Sequence, residues 1–298
     1  MRLVFPILVL ILAPGAALAH DGLLHEPPGW TFDPLIVAPL LVSLFLFGLG
    51  WLRLRRRSQG GAPRLDRRLW LFAVGWSLLA AAVVSPLHEA GERSFTAHMI
   101  EHEILMLVAA PLLVLSEPLA VMLWSAPADG RRGLGRLSRS PALRALWRRA
   151  TEPVTATVLQ AAALWLWHAP AAFDLALRSE PVHIAQHLSF LITALLFWSA
   201  VLHGRRRREG VGLAALCLFL TSLVTGALGA AMALAQSPWY RGYAALGLAP
   251  FGLSPAEDQQ LAGLLMWIPG GMVHALAALV LVAQVLRLQK EAAHAPAA

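Results

Sequence analysis

Seven apolar runs separated by short polar segments constrain this chain more than any other feature. They lie at 34–52, 69–85, 99–124, 153–167, 183–201, 212–235 and 261–286. A helix crossing the hydrocarbon core of a bilayer needs ~20 predominantly apolar residues, since each backbone N–H and C=O must be bonded within the segment. Residues of the AVILMFWYC set make up 58% of the 298 positions, and charged residues only 14%. A soluble domain carries roughly 25% charged residues. The expected fold is therefore all-α, a polytopic membrane bundle of seven transmembrane helices.

The charges fall between the runs. Of the 24 basic residues, 20 lie in 53–68, 131–149, 205–208 and 287–290. Only Arg93, Arg178 and Arg241 fall in the alternate segments. Cytoplasmic loops carry the excess of Lys and Arg. This predicts the N-terminus outside, the C-terminus inside, and a multi-pass protein of a bacterial inner membrane. A net charge of +7 can accompany nucleic-acid binding. Here topology accounts for it, with the lipid bilayer as partner and no nucleic acid.

The first residues read as a signal peptide: Arg2, an apolar stretch at 3–12, then Ala17-Leu18-Ala19 as an A-x-A-like cleavage site. An uncleaved first span is the alternative. The organisation expected is a signal peptide at 1–19, an outer segment at 20–33, a membrane domain at 34–286 and a cytoplasmic tail at 287–298. Cleavage after Ala19 would leave His20 as N-terminus, where its amine and imidazole, with His25 nearby, could chelate Cu(II).

The chain has 11 histidines. On the predicted topology His88, His98, His102, His168, His183 and His187 all fall at the outer ends of spans or in the outer loops. Ionisable groups in or beside spans are rare and mark function. Two pairs share one pattern: His98-x-x-x-His102 opens the third span, and His183-x-x-x-His187 opens the fifth. Residues four apart share a helix face with Cβ atoms ~5–6 Å apart, so each pair can point at one ion. Each pair is also preceded by a span ending near a histidine, His88 in the first case and His168 in the second. Spans two and three thus look pseudo-equivalent to spans four and five. If the two hairpins pack together, up to six imidazoles ring one pocket. The bland alternative is a set of histidines satisfying each other, helix ends and interfacial water.

Cys217 is the single cysteine, which excludes an intrachain disulfide framework and any CxxC site. A metal would be held by imidazole, carboxylate or thioether. Imidazole suits Cu, Zn, Fe and Ni, and Met99 and Met106 beside the first pair tilt the choice toward Cu(I). A haem b held between two helices is the alternative, although it needs only one histidine per helix. His98-x-x-Glu101-His102 also fits a zinc-protease pattern. The second copy carries Gln186 in place of the glutamate, which favours binding over hydrolysis. His274 lies mid-way along the last span beside Pro269-Gly270-Gly271. There a kinked helix with a hydrogen-bonded histidine competes with an inner metal site or relay. Asp174 could orient a histidine, Asp258 reads as a helix cap with a second role toward the histidines open, and Trp239 and Tyr240 read as interfacial aromatics. Glu117 lies ~28 Å along the helix from His98 and cannot share its site. No Walker loop, dinucleotide fingerprint or serine nucleophile motif is present.

Several motifs occur in a specific order: Ser85-Pro86-Leu87, the His98/His102 pair with Ala110-Pro111-Leu112-Leu113, Trp167-His168-Ala169-Pro170 with Phe173-Asp174, His183/Gln186/His187 with Ser189-Phe190, Asp258-Gln259-Gln260-Leu261-Ala262-Gly263, and Trp267-Ile268-Pro269-Gly270-Gly271. Over residues 30–286 this set resembles the membrane-integral CtaG family of cytochrome c oxidase assembly factors. His98, His102, His168, His183 and His187 match the family's histidine motifs. His88 falls where the pattern is looser, and Ala109-Ala110-Pro111 stands where a double proline is common. The resemblance implies a role in maturing a haem-copper oxidase. The expected partners are the oxidase subunits and a periplasmic copper chaperone. Copper is the expected cargo, bound transiently at a histidine cluster of His88, His98, His102, His168, His183 and His187, with His274 as a further candidate ligand. No turnover is required, so the chain is not read as an enzyme. A membrane b-type cytochrome and a copper transporter are the rival readings.

Overall fold

The structure, a computed structural model, describes residues 28–58, 60–203 and 208–294. The signal-peptide reading and the chelate proposed at His20 and His25 lie outside these residues. Among the described residues there is no strand. Six helices are long and apolar enough to cross a membrane: Pro34–Arg57, Ala62–Val84, Phe95–Ser116, Glu180–His203, Gly210–Leu234 and Pro255–Gln284. The chain is thus all-helical with the character of a multi-pass membrane protein.

Helix α1 (Pro34–Arg57) begins where the Asp33 carboxylate accepts from Leu35 N–H at 2.6 Å and Pro34 needs no donor partner. It ends on Arg55, Arg56 and Arg57, which suit the negative end of the helix dipole. Helix α2 (Ala62–Val84) returns, and Phe47 stacks on Phe72 at 3.7 Å where the two meet. Ser85 then caps a short helix α3 (Pro86–Arg93), accepting from Leu87 N–H at 3.3 Å.

The third apolar run departs from expectation at both ends. It begins at Phe95 as α4 (Phe95–Glu103), widens into a π-helical segment at Ile104–Ala109, and continues as α5 (Ala110–Ser116). Pro111 has no N–H to give to the preceding turn, and Ala110 N–H reaches back five residues to Leu105 C=O. Trp198 Nε1–H donates to Met106 C=O at 2.9 Å within that segment. A single span to Trp124 is not formed. Pro118 disfavours the α conformation at the residue before it. Glu117 turns left-handed, φ 49 and ψ 56, before α6 (Pro118–Met122) and a 3-10 turn at Leu123–Ser125. Glu117 pairs with Arg68 of α2 at this end of the bundle.

Two polar helices follow, α7 (Ala128–Ser138) and α8 (Pro141–Ala150). The fourth apolar run forms α9 (Pro153–Trp167), which is apolar but shorter than the six long helices. Then come α10 (Pro170–Arg178), α11 (Glu180–His203), α12 (Arg208–Leu234), α13 (Arg241–Leu246) and α14 (Pro255–His294). Helix α14 continues through Pro269-Gly270-Gly271 without unwinding and runs on to His294, so the expected tail begins as its last turns. Helices α12 and α14 pack along their length. Their closest crossing pairs Gly229 with Gly263, where a Cβ on Gly263 would meet the Gly229 carbonyl at 2.5 Å. Small residues let helix backbones approach in this way within a bilayer. The short helices α3, α10 and α13 gather at the end of the bundle where α4 and α11 begin.

Candidate metal centre

Helix α4 carries the first histidine pair, and its start is held by α14. The Asp258 carboxylate accepts from Ser94 Oγ at 2.9 Å, Phe95 N–H at 2.7 Å and Thr96 N–H at 3.2 Å. Thr96 Oγ1 donates back to Asp258 C=O at 3.0 Å. Asp258 was expected to cap its own helix. It satisfies the free N–H groups of α4 instead. His98 and His102, one turn apart, have ring centroids 4.4 Å apart.

Helix α11 brings the second pair, His183 and His187, at the same 4.4 Å. Trp167 Nε1–H donates to Ser189 Oγ at 2.7 Å and ties the end of α9 to α11. His168, the residue after α9, is fixed through its carbonyl by Tyr240 Oη–H at 3.1 Å. His88 arrives on α3, which lies against α4 because Gly91 has no side chain; a Cβ there would sit 3.3 Å from His98 Cα.

The structure brings all six of these histidines together. Ring centroids are 4.9 Å apart for His102–His187, 5.2 Å for His98–His183, 5.1 Å for His88–His183 and 6.3 Å for His102–His168. Each is buried, from 0% exposed at His98 to 7% at His187. The short helices α3, α10 and α13 gather over the cluster. Phe95, Phe173, Phe190, Tyr240 and Tyr243 complete the surround, with Phe190 4.7 Å from His102 and Phe173 5.0 Å from His98. An apolar cleft of about 320 Å³, between α1, α2, α5 and α11, reaches the flank of the cluster at His88 and His187.

The ring nitrogens divide by role. On the inferred tautomers, Nδ1–H is anchored: His168 to Leu164 C=O at 2.7 Å, His98 to Tyr243 Oη at 3.2 Å, and His88 and His187 to Glu101 Oε1 at 2.8 and 3.2 Å. Tyr243 Oη–H donates to Gly91 C=O at 2.5 Å, leaving a lone pair for His98. Burial pushes the Tyr243 phenol well above its ordinary pKa, so that proton stays. Burial opposes charge on His88, but its hydrogen bond to Glu101 and the nearby carboxylates outweigh this and raise its pKa.

The Nε2 atoms of His98, His102, His168, His183 and His187 are all buried without a hydrogen-bond partner. Leaving such an atom unpaired costs ~1–3 kcal/mol, so five in one cluster point to a ligand. His98, His168 and His187, anchored through Nδ1 and free at Nε2, have the arrangement of metal ligands, and His102 is unpartnered at both ring nitrogens. Two groups of donor atoms lie within 4.8 Å of one another: His98/His183/His187 and His88/Glu101/His187. Ligands at ~2.0 Å around a tetrahedral ion are roughly 3.3 Å apart, a contraction that side-chain rotation can supply.

Other candidates fall elsewhere. His274 has Phe197 and Trp198 as ring neighbours, each at 6.0 Å, and no histidine among the described residues. Asp174 accepts from Gly242 N–H at 3.1 Å rather than orienting a histidine. Tyr240 is buried, not interfacial. Met99 and Met106 belong to the apolar core. Two groups carry more of the site than the sequence reading gave them. Glu101 orients two histidines where a protease base was considered, and Tyr243 was not singled out. Its signal was scarcity: the chain has two tyrosines, and both are buried against this cluster.

Comparison with known proteins gives a consistent picture. The family described as cytochrome c oxidase caa3 assembly factor (Caa3_CtaG) matches residues 45–288. An uncharacterized protein of Mycobacterium bovis is 29% identical over 182 residues, covering 58% of this chain and 26% of that protein. An uncharacterized protein of Mycobacterium leprae is 28% identical over 193 residues, covering 60% of this chain and 28% of its own length. The chain thus spans about a quarter of the curated relatives it matches. No solved structure matches.

Proposed function

The chain belongs to the cytochrome c oxidase caa3 assembly factor family, and from that premise we propose that it holds copper at the buried histidine cluster for delivery to a maturing haem-copper oxidase. The observation carrying this reading is the set of five buried Nε2 atoms without partners, three of them, on His98, His168 and His187, belonging to rings anchored through the opposite nitrogen. His98, His183 and His187 form the core ligand set, with His102 and His168 beside them and His88 on the Glu101 side. Copper is the cargo. Neutral imidazoles suit it, and more donors than one ion needs would let it pass between ligand sets by exchange, without turnover. Oxidase subunits are the receiving partner and a periplasmic copper chaperone the donor. In the same reading α9 makes a seventh crossing, the histidine end faces the periplasm of a bacterial inner membrane, and the Arg-dense ends face the cytoplasm.

The test is the metal and haem content of the full-length protein purified from its own membranes, beside a His98→Ala/His183→Ala variant. Copper near stoichiometric with the chain, lost in the variant and without a Soret band, is expected. Haem in place of copper, or no metal after anaerobic Cu(I) loading, overturns the reading.

A further inference from the structure

Helices α7 and α8 bury no residue. They join α6 to α9, at the end of the bundle remote from the histidines, since α4 to α6 lead away from the cluster and α9 returns to it at His168. Each is sharply two-faced. At 100° per residue, Arg131, Arg132, Arg136 and Arg139 occupy one arc of the α7 segment, and Leu134 and Leu137 the opposite side. In α8, Arg144, Arg148 and Arg149 lie opposite Leu143, Leu146 and Trp147. The apolar faces are open: Leu137 is 61% exposed, Leu146 67% and Trp147 52%. No other element covers them among the described residues.

The charge is as lopsided as the hydropathy. Seven arginines stand in 131–149, and α7 and α8 hold one acid, Asp129, which pairs with Arg132. Arg136, Arg139, Arg144 and Arg148 make no salt bridge among the described residues. The four arginines of the α7 segment border one hollow.

We propose that α7 and α8 form an interfacial hairpin that seats on the anionic surface of the bilayer, with Leu137, Leu146 and Trp147 in the acyl boundary and the arginines on phospholipid phosphates. Two-faced helices with leucine and tryptophan on one side and arginine on the other lie in the interfacial plane, and anionic lipid attracts basic segments beside the membrane. Charge complementarity selects this occupant. The guanidinium groups flank the apolar stripe as phosphates flank acyl chains, and the bundle already holds this loop at the bilayer. A protein partner would instead have to match an apolar stripe and an unbroken cationic arc together.

The chain's single cysteine makes the test direct. In a Cys217→Ser background, spin labels are placed by Leu137→Cys and Leu146→Cys on the apolar faces and by Arg136→Cys on the basic face. The full-length protein is studied in nanodiscs of phosphatidylcholine with or without phosphatidylglycerol. Labels at 137 and 146 are expected to be reached by oxygen and shielded from a water-soluble nickel chelate. The label at 136 should show the reverse. Removing phosphatidylglycerol or adding molar salt should shift the first two toward the chelate. Labels at 137 and 146 that stay open to the chelate in anionic discs overturn the proposal. So does shielding from both reagents, which means a protein covers the face, and so does equal depth in neutral and anionic discs, which removes the recognition of anionic lipid.

Discussion

At the scale of single residues, the cluster depends on a carboxylate as much as on its imidazoles. Glu101 accepts from His88 and His187 through one oxygen, which fixes both rings with Nε2 turned away from it. An amide at this position keeps the shape but loses the charge and turns one acceptor into a donor facing Nδ1–H. Glu101→Gln is therefore expected to weaken copper binding roughly 10–100-fold, the usual cost of removing a group that orients a metal ligand, while the purified chain keeps its helicity. Competition with a Cu(I) indicator measures it; unchanged affinity would reduce Glu101 to a space-filling role. The histidines themselves were legible because a four-residue spacing fixes a shared face before any tertiary structure is known. The partners of their Nδ1 atoms were not. Tyr243 lies 145 positions from His98, and their contact depends on how the short α13 folds over the bundle end, which no local pattern encodes.

At the scale of elements, the six long helices could be read from length and apolarity, whereas the stop at Glu117 was passed over by a span drawn on to Trp124, although the proline after it carries the signal. Two features resisted. The π-helical segment after Glu103 carries a contact from another helix, Trp198 to the Met106 carbonyl, and the joint start of α4 and α14 rests on a carboxylate 163 residues away. That joint start is open to test. In Asp258→Ala the N–H groups of Phe95 and Thr96 and the Ser94 hydroxyl lose their acceptor at once. Loss of a helix cap costs ~1 kcal/mol, and burial of the freed donors takes this toward ~2–3 kcal/mol. The expected outcome is a lower thermal midpoint in detergent, together with weaker copper binding because His98 sits one turn into the frayed helix. Asp258→Asn, which keeps an acceptor oxygen, should recover part of both. Equal midpoints for the parent and Asp258→Ala would mean that α4 is set by its packing alone.

At the scale of the whole molecule, one short helix decides how the chain threads the bilayer. Helix α9 has 15 residues, ~22 Å at 1.5 Å per residue, against a hydrocarbon core of ~30 Å. Length alone argues against a crossing. Its ends argue for one. Glu152 caps its start, next to the arginines of α8. Its far end delivers His168 to a cluster where α4 and α11 both begin. A bilayer thins, or flanking residues snorkel, around a short span at modest cost. Leaving α9 uncrossed would instead put the start of α11, with His183 and His187, on the side of the arginines of 131–149 and across the bilayer from His98 and His102, whose rings they meet at 5.2 and 4.9 Å. Reporter fusions settle the point. With seven crossings, a fusion after Arg139 is active as a cytoplasmic reporter and one after Ser179 as a periplasmic reporter, and a fusion after Gly247 matches Ser179. If Arg139 and Ser179 report the same side, α9 lies within one leaflet and the positive-inside assignment of the chain has to be redrawn around it.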